Sequence, residues 1–178
     1  MRSTHVLFVI LSAACIALAQ DQRTIPPRAT ERIVKEVRHE LLLLPYYGVF
    51  DDIKYSVSGY DVTLMGQVTN PTLKHDAENV VKHIEGVERV ANQIEVLPPS
   101  PMDDGLRLRL YRAIYGFPAL EKYAMPVVKP IRIIVKSGHV SLEGVVDSQA
   151  DKDLAALRAN GVPGIFSVTN NLVVVKPR

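Results

Sequence analysis

The chain has 178 residues, 47% of them apolar and 22% charged, with a formal net charge of +2, an ordinary globular composition that gives little drive toward nucleic acid. Its one cysteine, Cys15, excludes a disulfide framework and a cysteine metal site. Stability must therefore come from packing.

Arg2 opens the chain with a positive charge, Val6 to Leu18 is an apolar run, and Ala17-Leu18-Ala19 has the small-x-small pattern of a signal-peptidase site. Residues 1–19 read as a signal peptide cleaved after Ala19, and the mature protein as exported. The apolar run is too short to span a bilayer comfortably, which argues against an uncleaved anchor. Ser12-Ala13-Ala14-Cys15 resembles a bacterial lipobox, but the aliphatic residue, Leu11, lies four positions before the cysteine instead of three. A lipid anchor at Cys15 is thus the weaker reading.

Residues 20–27, with Asp21, Arg23 and Pro26-Pro27, form a short tail without apolar periodicity. Thr30 can cap a helix in which Ile33, Val34, Val37, Leu41 and Leu44 recur at helical spacing, and Pro45 stops it. Ile53, Tyr55 and Val57 alternate with polar residues as in a half-buried strand; Gly59 permits a turn, and Val62, Leu64 and Val68 return. Asn70-Pro71 starts a second helix, since Asn accepts an orphan backbone N–H and proline lacks a donor that would go unused. Leu73, Ala77, Val80, Val81 and Ile84 form its stripe, Gly86 ends it in the left-handed conformation, and Val90, Ile94 and Val96 make a third strand.

Residues 98–102, containing Pro98-Pro99-Ser100-Pro101, read as a stiff linker, after which Asp103 or Asp104 can cap a helix carrying Leu106, Leu110 and Ile114. Then the first pattern returns. Val62-Thr63-Leu64-Met65-Gly66-Gln67-Val68 reappears as Val140-Ser141-Leu142-Glu143-Gly144-Val145-Val146, a shift of 78 residues that also carries Ala77 to Ala155, Gly86 to Gly164, Val90 to Val168, Asn92 to Asn170 and Ile94 to Leu172. Tyr47-Gly48-Val49-Phe50 is echoed by Tyr115-Gly116-Phe117 at the smaller shift of 68, so the second copy holds about ten extra residues between Phe117 and Pro130. Ile131, Ile133 and Val135 form a strand turned by Ser137-Gly138, Ser148 and Asp151 resemble a capping box, Leu154, Ala155 and Leu157 pack the next helix, and Val168, Leu172 and Val174 close the copy. One helix–strand–strand–helix–strand unit occurs twice, in two lobes near the lower size limit for an independent core, which lean on each other.

The repeated Val-x-Leu-x-Gly-x-Val, the helix with buried alanines, Gly-Val or Gly-Ile, and Val-x-Asn before an aliphatic strand resemble the BON domain of bacterial osmotically inducible and nodulation proteins. Residues 28–97 and 103–178 resemble two tandem modules. The resemblance implies an α+β fold, each lobe with two helices on one face of a three-stranded mixed sheet, in exported periplasmic or outer-membrane-associated proteins that bind phospholipid or support envelope integrity. Gly59, Gly66, Gly86, Gly138, Gly144 and Gly164 read as structural, because none lies in a glycine-rich run between strand and helix that would cradle phosphate.

No catalytic group stands out. His75 and His83 lie two helical turns apart, beyond the one-turn spacing of a helical metal pair, and no nucleophile–base pattern is present. An enzyme, a cofactor and a metal are therefore not expected. Charge is more informative: residues 28–98 hold eight Lys and Arg against eleven Asp and Glu, a net of −3, and residues 103–178 hold eleven against seven, a net of +4. In the basic lobe, Arg107, Arg109, Arg112, Tyr115, Phe117, Lys122 and Tyr123 combine cations with amphipathic aromatics and are the candidate contacts for an anionic phospholipid surface. The competing readings are that Leu106, Leu110, Ile114 and the aromatics are core with the arginines solvated, and that the lobes form a protein–protein adaptor or oligomerising module of the envelope.

Overall fold

A computed structural model describes residues 27–175; the signal segment 1–19, Cys15 and the tail up to residue 26 lie outside the described residues. The first lobe runs α1 (Pro27–Leu42), β1 (Asp52–Ser58), β2 (Asp61–Val68), α2 (Pro71–Lys82), β3 (Arg89–Asn92) and β4 (Glu95–Val96). The second runs α3 (Pro101–Tyr115), a short 3-10 helix (Pro118–Tyr123), β5 (Ile131–Lys136), β6 (His139–Val146), α4 (Gln149–Asn160), β7 (Ser167–Asn170) and β8 (Val173–Val174). In each, the hairpin pairs antiparallel, and its second strand pairs parallel with two short segments. The fold is the expected α+β pair of lobes with mixed sheets, and the third strand is interrupted.

The interruption has a cause in the repeated asparagine. Asn92 accepts the N–H of Ile94 on its side-chain oxygen at 3.2 Å and donates to the Lys74 carbonyl of α2 at 2.9 Å. Asn170 does the same with Leu172 and Lys152, so each copy ties its last strand to its helix at the break. Ile94 and Leu172, two residues on, are 1% exposed.

Side-chain chemistry sets the other boundaries. Asn70 caps α2 by accepting from Thr72 N, with Pro71 first in the helix. Helix α1 begins at Pro27, ahead of Thr30, since proline suits a first helical position. Ser100, not an aspartate, caps α3, which starts at Pro101. Helix α2 stops at Lys82, and Gly86 takes its positive φ in the turn beyond. Gly66 and Gly144 adopt φ of +114° and +106° inside their strands, and a Cβ there would stand 2.1 Å from the Asp52 carbonyl and 2.0 Å from that of Pro130. Only glycine fits so close a backbone crossing.

Ile33, Val37, Leu41, Leu64, Leu73, Ala77 and Val81 centre the first core. Leu106, Leu110, Ile114, Ile133, Leu142 and Ala155 centre the second, joined by Leu120 and Tyr123 from the extra segment. Leu157 is 68% exposed and does not pack: it lies about 200° around α4 from buried Ala155.

The lobes meet through the connection between α1 and β1. Asp51 holds this loop by accepting from Gly48 N at 2.9 Å, Thr69 N at 2.7 Å and the Thr69 hydroxyl at 2.8 Å. Val49 and Phe50 thereby pack against the second core. Ile133 N–H of β5 donates to the Val49 carbonyl at 2.9 Å, and Phe50 meets Tyr111 edge to face. Arg132 donates to the Gly48 carbonyl at 2.7 Å and lies 4.3 Å from the Tyr47 ring centroid. Lys54 pairs with Glu143 at 2.8 Å, and Lys136 with Glu95. Ile134 shares a sheet face with Arg132 and Lys136, and Leu97 shares one with Glu95; both are buried yet belong to neither core.

Candidate functional site

Helix α3 carries charge on two sides, and the structure uses them differently. Asp103, at the inner side, accepts from Ser137 N at 2.8 Å and Gly138 N at 2.9 Å in the β5–β6 turn. One turn on, Arg107 is 4% exposed, pairs with Asp104 and donates to the Val135 carbonyl at 2.7 Å. Tyr115, also 4% exposed, donates its hydroxyl to the Ile131 carbonyl, and burial pushes its pKa up. With Val49 on Ile133, these groups close the outer edge of β5, which otherwise presents unpaired backbone. Tyr47 sits at the matching place in the first lobe, where its hydroxyl accepts from Ile53 N at 3.2 Å.

The extra segment is tied down as firmly. Tyr123 accepts from Asp147 N at 2.8 Å and donates to Asp151 at 2.8 Å. Lys122 pairs with Asp147 at 3.0 Å and Asp151 at 2.9 Å, and these bonds hold its ammonium above the ordinary lysine range. Arg158 donates to the Ala113 carbonyl at 3.1 Å and covers the Phe117 ring at 4.7 Å. Of the seven candidates, Arg107, Tyr115 and Tyr123 thus point inward, Phe117 is half-buried under an arginine, and Lys122 is exposed but paired.

Arg109 and Arg112 remain on the outer face of α3, exposed and without an ion pair among the described residues. They are flanked by Met102, 56% exposed, and Leu108, 51% exposed. An apolar and cationic strip thus faces solvent along the helix, set in the lobe of net charge +4. Met102 and Leu108 were not among the sequence candidates; their signal was their placement on the helical wheel to either side of the two arginines, Met102 about 20° beyond Arg109 and Leu108 about 40° beyond Arg112.

In the first lobe α1 also exposes Lys35 and Arg38 beside Val34 and Leu42, the latter two each 37% exposed, but in a lobe of net charge −3. The groove of about 500 Å³ between α1 and α2 has Glu36, Glu40 and Glu85 on its walls, charges that repel an anionic headgroup. His75 and His83 are both exposed, and His83 Nδ1 is engaged by the Asn79 carbonyl at 2.6 Å. Among the described residues no helix is long and apolar enough to cross a membrane.

The family model for the BON domain matches residues 29–98 and 119–176, leaving α3 between the two matched regions. No curated protein matches the chain at a significant level. Among solved structures, CdsD, a structural protein of the type III secretion system of Chlamydia trachomatis, is similar at 14% identity, over 82% of this chain and 93% of that one, with a TM-score of 0.29. The CdsD C-terminal domain is similar at 11% identity, over 80% of this chain and 97% of that one, also with a TM-score of 0.29. Likeness at that level carries no weight for function.

Proposed function

The chain belongs to the BON domain family and carries the domain twice, and on that premise we propose that it is a non-enzymatic, exported envelope protein that binds anionic phospholipid through the outer face of α3. The observation that supports this most is the strip Met102, Leu108, Arg109 and Arg112, in which two unpaired arginines sit between exposed apolar side chains. Several other cations of the lobe are engaged within the fold, among them Arg107, Arg132 and Lys122. Each arginine near an anionic surface contributes about 1 kcal/mol, and partial burial of Met102 and Leu108 adds roughly 1 kcal/mol each. The binding is therefore weak, reversible and sensitive to salt.

Co-sedimentation with vesicles of phosphatidylglycerol tests it. The wild-type protein is expected to pellet at low salt and to be released by high salt, and Arg109→Glu with Arg112→Glu is expected to stay in solution. Pelleting of the double variant like wild type, or equal pelleting with phosphatidylcholine, contradicts the proposal. A second reading, a protein–protein adaptor or oligomerising module, is favoured by Met125 and Val127, which stand 80% and 98% exposed before β5.

A further inference from the structure

One furrow of the repeat is filled and its counterpart is open. In the second lobe the furrow between α3 and β5 receives the first lobe: Val49 and Phe50 pack on its core, Phe50 meets Tyr111 with ring centroids 6.4 Å apart, and the Val49 carbonyl accepts from Ile133 N–H. In the first lobe the corresponding furrow between α1 and β1 has a volume of about 280 Å³ and is lined by Arg38, Leu41, Leu42, Tyr47, Ile53 and Tyr55.

The 78-residue shift takes Tyr55 to Ile133, and the pairing register keeps the same phase, Tyr55 opposite Leu64 and Ile133 opposite Leu142. The backbone N–H of Tyr55 therefore points to the open edge as that of Ile133 points to Val49, and among the described residues no acceptor meets it. By sequence likeness the Val49-Phe50 loop is echoed at Phe117, but by distance from the paired strand, counted back at the strands' own shift of 78, its place before β5 falls to Val127 and Val128, which are 98% and 39% exposed. Lys129 donates to the carbonyls of Ala124 and Pro126, both at 2.7 Å, holding the backbone around the segment while Val127 stands free. The chain thus has one joint made within itself, and the two unfilled halves of a second joint at its opposite lobes.

We propose that these halves join between copies: the Val127-Val128 segment of one molecule enters the α1–β1 furrow of a second, with the Val127 carbonyl accepting the N–H of Tyr55. Strand-edge addition of this kind draws its affinity from main-chain hydrogen bonds and its selectivity from side-chain pockets. The contact is head to tail, so it leaves a free furrow and a free segment at the ends and propagates into a ring or a filament. Its small area places it among weak contacts, in the micromolar to millimolar range of dissociation constants.

Sedimentation of the full chain across that concentration range, without lipid, is the test, with Val127→Asp and Leu42→Glu as variants. Both positions are exposed, Leu42 at 37%, so neither substitution disturbs a core, and circular dichroism verifies the fold. Wild-type mass is expected to rise from one chain to two or more with concentration, and each variant alone to remain a single chain. An equimolar mixture of the variants is expected to form dimers and stop there, because one supplies an intact furrow and the other an intact segment. A wild-type protein that stays a single chain, variants that associate as wild type does, or a mixture that fails to pair each overturns the proposal.

Discussion

Replacing Arg132 with methionine removes the charged anchor between the lobes while keeping much of its aliphatic bulk. The native guanidinium is 6% exposed, donates to the Gly48 carbonyl at 2.7 Å and lies 4.3 Å from the centre of the Tyr47 ring. A hydrogen bond from a charged donor is worth about 1.5–3 kcal/mol and a desolvated cation–π contact about 1–2 kcal/mol. One guanidinium makes both, so the two do not add fully, and the expected loss is about 2–4 kcal/mol. For a chain of this length that lowers Tm by roughly 4–16 °C. Because the Gly48–Phe50 loop is the first lobe's hold on the second core, the variant is also expected to unfold in two calorimetric transitions where the wild type shows one. A variant that melts in a single transition within about 1 °C of wild type refutes the assignment of this loop as the joint.

Gly144→Ala is expected to cost about 3 kcal/mol or more in urea unfolding, since its Cβ would stand 2.0 Å from the Pro130 carbonyl at a φ of +106°; Gly161→Ala, whose nearest neighbour atom would be 3.6 Å away, serves as a control within about 0.5 kcal/mol of wild type. Asp151 supplies a pH dependence. Burial pushes its carboxyl up, but hydrogen bonds from Lys122, Ser148 and Tyr123 outweigh this and hold it below the ordinary carboxylate value. Its contribution is therefore present above the unfolded pKa and lost as pH falls through the folded one. Asp151→Asn is expected to be less stable than wild type by about 1–2 kcal/mol at neutral pH, with the gap closing in acid; a gap that is constant with pH contradicts the role given to the ionised carboxylate.

Much of the architecture was legible because the two copies check each other: a shift of 78 residues aligns Gly66 with Gly144 and Asn92 with Asn170, and local chemistry alone places the hairpin turns and the cap at Asn70. What escaped was mostly polar groups at work inside. Asp103 read as a candidate helix cap and Arg107 as a candidate contact for an anionic surface, yet at about 100° per residue Asp103 falls between Leu110 and Ile114 and Arg107 only about 20° beyond Ile114. Their angles carried the signal, and their charge obscured it. The break in the third strand follows from an asparagine bonding its own chain, which periodicity does not report. The docking of Val49 and Phe50 onto the second core has no local signature at all, since a loop's partner across some eighty residues depends on how the lobes assemble. The candidate surface was legible in part, because helical spacing separates Arg109 and Arg112 from the core stripe but says nothing of which aromatics the fold has already consumed.

Amide chemical shifts of the full chain titrated with phosphatidylglycerol bicelles test the phospholipid reading most directly. The shifts are expected to move first along the outer face of α3, at Met102, Leu108, Arg109 and Arg112, with the groove between α1 and α2 unaffected. Changes confined to the first lobe, or none on α3 at saturating lipid, contradict it.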